Sequence, residues 1–526
     1  MNQITPRSAN KPLVLLSLLL AAFAINLDTT IVNVALPSLV RELHASDTQL
    51  QWIVDAYNLV FAAFILAFGA LSDKVGRKGM LLGGLAVFGI SSLAGALAVN
   101  ATELIAARAV MGLGAAMVFP ATLSLISNVF TDRVERARAI GLWGATAGMA
   151  IALGPIFGGW LLARYSWASI FVAMAPVALL GIVLVARFVP TSREAGAAPL
   201  DRPGIAYSTL AMSILVFTII EAPKYGWLAP RSLAGFVLAV ALLLAFFARE
   251  RGTRFPMLDL ELFRNPRFTA ACAAVTVAFF TLFGFIFLMT QYFQFVKQYS
   301  ALSTGIHLLP VAISVGVASV LGTRLAVRFG TKVVVTVGLA MVTAFYVWVA
   351  ASVTPTLSYS VIAVQMVLYG VGMGLTSAPA TEAIMGVVPL DRAGVGSAVN
   401  DATRLLGGTL GVAVIGSVFA STYTSRLNQG LPHGLPGRVV SAAQASVGEA
   451  FGAAQVLART GHVELAGVVH AAARDAFIHG LSIGCLVAGI VGAIGALVAA
   501  LMLPAQPQAE AVAPAEQGLP AFAPAE

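Results

Sequence analysis

Apolar and polar positions alternate along this chain on a long scale. Fourteen apolar stretches, each near the roughly 20 residues a helix needs to cross a bilayer, are separated by polar connections. The pattern predicts six helices at about 13–36, 50–71, 79–99, 102–127, 138–163 and 167–189. Two follow at about 205–221 and 232–248, then six at about 268–296, 303–326, 332–352, 357–379, 393–420 and 476–503. This layout of six, two and six implies an all-α integral membrane protein. Its expected divisions are an N-terminus at 1–12, a six-helix bundle over 13–189 and a linker with two inserted helices over 190–267. A second six-helix bundle spans 268–503, and a tail rich in Pro and Ala, 504–526, is expected to be disordered. Within the second bundle a long loop, 421–475, has the spacing of short amphipathic helices. It reads either as a hairpin docked over one mouth or as a solvated connector. Two six-helix halves around an inserted pair suit a repeat-built transporter. A faint echo supports the repeat, because Gly69–Lys78 after helix 2 is matched by Gly322–Lys332 after helix 10.

Several charges break the apolar runs. Asp28 sits inside the first, where a lone acid costs several kcal/mol unless it has a cavity, a proton or a partner. Asp55, Arg108, Asp401 and Arg404 also fall within spans. Composition agrees with burial in lipid: 59% of the 526 residues are hydrophobic and 10% charged, against roughly a quarter charged in soluble proteins. The net charge of +8 does not require nucleic acid, because a basic excess in a membrane protein belongs to cytoplasmic loops. Placing the N-terminus inside puts Lys and Arg in the inside loops by roughly two to one, so both termini are expected to be cytoplasmic. Cys272 and Cys485 form no CxxC pair, and the spacing of His433, His462, His470 and His479 matches no metal signature. A cleaved signal peptide is not expected at Arg7 and Lys11, since the first apolar run continues past Asp28.

At 1.5 Å per residue, Asp28 lies about 12 Å, Asp55 about 8 Å and Arg108 about 9 Å inside the outer ends of their predicted spans. All three are expected in the outer half of the first bundle. Asp401 and Arg404, three residues apart on one helix face, are expected to satisfy each other.

The segment Gly69-Ala70-Leu71-Ser72-Asp73-Lys74-Val75-Gly76-Arg77-Lys78 resembles the helix 2–3 signature of the major facilitator superfamily. The resemblance implies a latch in which Gly69 permits close helix contact, Gly76 a tight turn, and Asp73, with Arg77 and Lys78 nearby, pairs across the two halves. Helix 5 carries Gly144, Gly148 and Gly154-Pro155-Ile156-Phe157-Gly158-Gly159, which resembles the superfamily's antiporter motif and so implies export. Leu27–Pro37, the acid in Gln51-Trp52-Ile53-Val54-Asp55-Ala56-Tyr57, Ser303–Pro310 and Gly407–Ala413 resemble segments of the fourteen-helix drug:proton antiporters, the EmrB/QacA type. Trp167-Ala168-Ser169 departs from the Trp-Arg-Trp often found there. Arg108-Ala109-Val110-Met111-Gly112 resembles the helix 4 motif whose arginine is implicated in proton coupling; a structural counter-ion is the alternative.

These readings imply a proton-coupled efflux antiporter for amphipathic cationic drugs or antiseptics, working by alternating access. Asp28, Asp55 and Arg108 are the proton-coupling candidates. Asp28, Asp55 and Asp401, with the helix 9 aromatics Phe283 and Tyr292, are the substrate-binding candidates. Burial favours a protonated carboxylate and an arriving cation favours the ionised one, so the two ligands compete for one site. No cofactor is expected, the proton gradient being the energy source. The expected partners are drugs, protons and membrane lipids, for a monomer in the cytoplasmic membrane; a periplasmic adaptor is left open. A dedicated exporter of a metabolite or siderophore is the nearest alternative. A receptor or enzyme is disfavoured, because no nucleophile–base constellation, metal spacing or phosphate-binding loop stands in the chain.

Overall fold

The computed structural model describes residues 10–192, 201–253, 260–388, 393–432 and 434–504. Local chemistry sets its helix ends. The Ser46 side chain accepts from the Gln49 N–H while the Gln49 side chain accepts from the Ser46 N–H, a reciprocal cap that starts the second helix at Asp47. The Asn100 side chain caps the next-but-one helix by accepting from the Glu103 N–H at 2.9 Å. Gly76 and Gly330, at φ +126° and +86°, turn the chain between consecutive helices where a side chain would be strained.

The first half contains α1 (Lys11–Leu43), α2 (Asp47–Val75), α3 (Arg77–Ala96), α4 (Ala101–Val129), α5 (Arg133–Leu162) and α6 (Ala168–Phe188). The inserted pair is α7 (Arg202–Tyr225) and α8 (Pro230–Gly252). The second half begins with α9 (Pro266–Gln291), which ends in a π turn over Tyr292–Val296. It continues with α10 (Ala301–His307), α11 (Leu309–Phe329), α12 (Thr331–Ser352), α13 (Tyr359–Met385) and α14 (Ala393–Gly430). Two short helices, α15 (Gly437–Ala445) and α16 (Val447–Arg459), precede α17 (Val463–Met502). Among the described residues thirteen helices are long and apolar enough to cross a membrane, and α2, of 29 residues, completes the fourteen-helix layout. An even number of crossings puts residues 11 and 502 on one face, here the termini face; α15 and α16 lie on the other, the hairpin face.

The echo between the halves is three-dimensional. Gly69 of α2 faces Pro120 of α4, and Gly322 of α11 faces Pro379 of α13. Gly84 and Gly114 bring α3 against α4, as Gly338 and Gly372 bring α12 against α13. Small residues at matching positions let helix backbones approach where no hydrophobic driving force separates helix from lipid.

The inserted pair covers one seam between the halves. Val216, Ile219 and Ile220 of α7 pack with Leu59 of α2 and Ala413 of α14. Trp227 donates to Ser421 Oγ at 3.2 Å, and Arg249 pairs with Asp201 at 3.2 Å to close the far end of the pair. Only 17% of the apolar window of α8 is buried, so the rest of that helix requires lipid.

Several expected boundaries move. The helix expected at 303–326 is divided at Leu308, where Pro310 opens α11. The expected loop 421–475 is largely helical: α14 runs on to Gly430, α17 starts at Val463, and Arg426 pairs with Asp475 at 2.8 Å across the two extensions. The remainder is a docked hairpin. The site of a Cβ on Gly448 lies 2.6 Å from Val40 and 2.8 Å from Phe295, and Glu449 meets His44 at 2.8 Å.

Candidate functional site

Asp28 lies at the middle of α1, because that helix continues through Pro37 to Leu43 instead of ending near Leu36. Its carboxylate pairs with the Arg108 guanidinium from α4, and both side chains are fully buried. Arg108 is held on two further sides. Its Nε donates to the Ile53 carbonyl at 3.0 Å, and its guanidinium lies 4.2 Å from the centre of the Tyr57 ring. Tyr57 in turn donates to the Ile25 carbonyl at 3.1 Å. Gly112, one turn beyond Arg108, makes this possible: a Cβ there would overlap the Tyr57 carbonyl oxygen, so only glycine lets α4 sit so close to α2. The pair is not fully satisfied. Asp28 Oδ1 and Arg108 Nη2 have no protein partner. A carboxylate with a free lone pair beside a guanidinium with a free N–H can take up a proton or exchange one cation for another.

Asp55 does not join this cluster. At 100° per residue it lies on the side of α2 opposite Ile53 and Tyr57, with Gln51, whose side-chain oxygen accepts from Ser417 of α14 instead. Both Asp55 oxygens are buried without a hydrogen-bond partner. Similar depth suggested one cluster of three; helical phase divides it into a pair and a lone acid.

The antiporter-motif residues work at two seams. A Cβ on Gly154 would overlap Thr30 Oγ1, and one on Gly158 would stand 2.7 Å from Ile31, so α5 lies directly along the Asp28 stretch. Thr30 donates to the Ala150 carbonyl at 2.9 Å and secures that contact. Gly159 and Pro155 face the other half: a Cβ on Gly159 would stand 2.6 Å from the Ala301 oxygen, and one on Gly305 would overlap the Pro155 oxygen. Among the described residues, none lies within 4 Å of a Cβ built on Gly144 or Gly148. The same helix is thus tightly packed toward the hairpin face and loose toward the termini face. Gln294, which donates to the Val34 carbonyl at 2.9 Å, and Gln51, which meets Ser417 at 3.1 Å, add to the hairpin-face closure.

In the helix 2–3 segment, Arg77 donates to Ser192 Oγ at 3.1 Å, and its backbone N–H donates to the Ser192 carbonyl at 3.0 Å. Lys78 donates to the Ala186 carbonyl at 2.8 Å, in the last turn of α6 where a cation is favoured. Both of these contacts lie within the first half. The Asp73 side chain lies outside the described residues.

Asp401 and Arg404 are both inward on α14, but among the described residues they form no ion pair. Arg404 donates to Thr381 Oγ1 at 3.1 Å and lies 5.2 Å from the Phe279 ring centre, so it ties α14 to α13 and α9. The helix 9 aromatics are buried because α9 is central in its half, so rings all round it meet protein. Phe283 lies against Gly408, and Phe285 stacks on Tyr369 at 4.9 Å. Tyr292 donates to the Thr354 carbonyl at 2.8 Å, a tether within the second half. Trp167, at the departure from the family pattern, is buried edge-on against Phe171 at 6.0 Å.

Thr30, Gln51 and Tyr57 stand in stretches quoted for their resemblance but were given no role of their own, and Ser417 was not singled out. Each is a polar residue inside an apolar run, which was the available signal, but none carries a charge to single it out.

The comparisons with known proteins agree with this architecture. The Major Facilitator Superfamily model matches residues 18–412. The multidrug resistance protein Stp of Mycobacterium tuberculosis is 34% identical over 475 residues, 89% of this chain and 88% of its own. The multidrug efflux pump LfrA of Mycolicibacterium smegmatis is 33% identical over 488 residues, 93% and 95% of the two chains. The methyl viologen resistance protein SmvA of Salmonella typhimurium is 33% identical over 478 residues, 91% and 95%. Among solved structures, an inward-facing, unoccupied bacterial homologue of the human lysosomal transporter Spinster superposes with TM-score 0.63 at 16% identity, over 94% of this chain and 98% of that one. A D-xylose–proton symporter gives 0.58 at 13% identity, over 94% and 98%. At these identities the solved structures speak for the fold alone. By its family match, its relatives and its helical architecture, the chain belongs to the Major Facilitator Superfamily.

Proposed function

We propose that this protein is a proton-coupled multidrug efflux antiporter that exports amphipathic cations across the cytoplasmic membrane, with both termini in the cytoplasm. The carrying observation is the Asp28–Arg108 pair, a half-satisfied ion pair sealed in the first half against the antiporter-motif helix. Three cations can occupy the Asp28 carboxylate: Arg108, a proton or the cargo. Protonation neutralises Asp28 and weakens its hold on Arg108 and on cargo; deprotonation restores the demand for a positive partner. When the site alternates between the two faces, this exchange moves protons inward and cargo outward. The relative named for resistance to methyl viologen, an organic dication, supports a cationic cargo.

The basic residues of the termini face, with Lys78 and Arg77 among them, support the cytoplasmic placement. On that placement the structure is closed outside, through Gly159, Gly305 and the hairpin. The latch role of Asp73 with Gly69 and Gly76 belongs to the alternate state. Asp401 remains a candidate for cargo contact, and Phe283 remains the aromatic candidate at its level of α9.

The test is accumulation of ethidium in inside-out vesicles. Ethidium should accumulate when the interior is acid and leak out when the pH gradient is collapsed. Equal accumulation with no ion gradient would sink the antiport reading.

A further inference from the structure

Five buried side chains that form no part of the Asp28 pair lie along one seam between the halves. On α2, Asp47, Gln51, Asp55 and Asn58 fall within an 80° arc, counted at 100° per residue. Gln51 meets Ser417 of α14, and a Cβ on Gly416 would stand 2.8 Å from Gln51, which fixes the antiparallel register of the two helices. In that register Asn58 is level with Thr409, Asp55 with the small Ala413, and Asp47 with the turn before Tyr423. Tyr423 itself donates to the Ala443 carbonyl of the hairpin at 2.9 Å. Every α2 member of the stripe is at least nine-tenths buried, as is Thr409. Among the described residues, Asp47 Oδ1, Gln51 Nε2, both Asp55 oxygens, both Asn58 polar atoms and Thr409 Oγ1 have no hydrogen-bond partner. Buried polar atoms are hydrogen-bonded almost without exception, and a row of them over about 16 Å of helix is a row that water fits.

We propose that this α2–α14 seam is a hydrated proton entrance, with Asp47 as the acid at its mouth and the Gln51–Ser417 contact as its gate. The inference rests on the antiport reading above and adds a route by which an outer proton reaches Asp55, the lone buried acid of α2. A proton from the outer medium forms an O–H bond on the Asp47 carboxylate. That bond breaks as the proton passes to water in the seam, and a new one forms on the Asp55 carboxylate once Gln51 and Ser417 part. The closed gate, with Gly416 against Gln51, keeps the route from leaking while the hairpin face is shut. Asp47 precedes the apolar run 50–71 and lies under the hairpin, where burial pushes its carboxyl up to about 7, suited to capture and release near neutral pH. Tyr423 faces it from α14, Arg41, Glu42 and His44 lie on the preceding turn, and Glu449 stands opposite on α16.

The experiment measures ethidium-driven proton flux in proteoliposomes carrying pyranine, over a range of outer pH. Asp47→Asn should reduce the flux about ten-fold at pH 8, where free protons are scarce and a collecting acid matters most, and less than two-fold at pH 6. Asp47→Glu should stay within two-fold of the parent at both. Equilibrium ethidium binding should be unchanged in all, which certifies the fold; if Asp47→Asn does not fold, Asp47→Ser carries the same expectation. Unaltered flux in Asp47→Asn overturns the inference. So does an equal loss at both pH values, or failure of Asp47→Glu to sustain flux, since either marks a structural role. Absence of ethidium-driven proton flux in the parent protein overturns the antiport reading itself, whereas parental flux with an indifferent Asp47 overturns the entrance alone.

Discussion

Replacing Asp28 with asparagine is expected to lower gradient-driven ethidium export at least about hundred-fold, to the level of passive leak, a loss of about 2.7 kcal/mol or more in the driving interaction. The amide has the shape of the carboxylate but neither takes a proton nor attracts a cation. Arg108 is then left as a buried charge with only the Ile53 carbonyl and the Tyr57 ring for company. Removing one partner of a buried pair costs about 3–5 kcal/mol, so Asp28→Asn should also melt at lower temperature. The double variant Asp28→Asn with Arg108→Gln separates the two effects. It should regain much of the thermal stability, because no charge is stranded, and regain none of the export. Export at the parental rate by Asp28→Asn would remove Asp28 from the mechanism.

The second large effect is expected at Gly159. Its backbone lies against Ala301 and Leu302 of the other half, with 2.6 Å between a built Cβ and either neighbour. Gly159→Leu forces α5 and α10 apart and disfavours the state seen here, in which the hairpin face is closed. Overpacking of this kind costs about 1–3 kcal/mol, which shifts the balance of the two faces by roughly 5- to 150-fold. Spin labels at Arg164 and Ser300, exposed residues on the two sides of that seam, report the change as a longer distance in double electron–electron resonance. The two native cysteines are buried and are replaced by serine for the purpose. Gly144→Leu is the control, since nothing lies within 4 Å of a Cβ there. An unchanged distance distribution in Gly159→Leu would show that this contact does not hold the closed face.

The contrast between Asp28 and Asp55 shows what the sequence made legible and what it withheld. An acid inside an apolar run is conspicuous in one dimension, and depth along a helix follows from a fixed rise per residue. Both acids were therefore found, and Arg108 with them. Which acid the arginine meets depends on rotation about the helix axis and on Gly112, whose missing side chain brings α4 onto the Tyr57 backbone. Asp55 and Tyr57 are only two residues apart, yet they face different helices. The fourteen-helix layout was legible because lipid demands a long apolar run for each crossing, whatever the packing. The helical extensions of α14 and α17 beyond the bilayer were not legible in the same way, because outside lipid their helicity depends on each other, through Arg426 and Asp475, and on the hairpin. Asp401 and Arg404 show the same limit: spacing on one helix says that they lie near each other, but not that Arg404 also reaches Thr381 and the Phe279 ring.

The glycines of helix 5 carry the same lesson in a different form. Their spacing announces close packing without saying against what. The structure divides them between α1, the second half and open space, and only that division connects the motif to a closed hairpin face.

The central claim is that a proton and the exported cation compete for the Asp28 carboxylate. It is tested most directly by titrating the purified protein with ethidium in weakly buffered solution at a series of pH values, counting protons released for each cation bound. The account predicts that binding weakens and proton release per bound cation grows as the pH falls, two faces of one linkage, and that Asp28→Asn abolishes both trends. Ethidium binding of constant affinity, with no proton released at any pH, would contradict it.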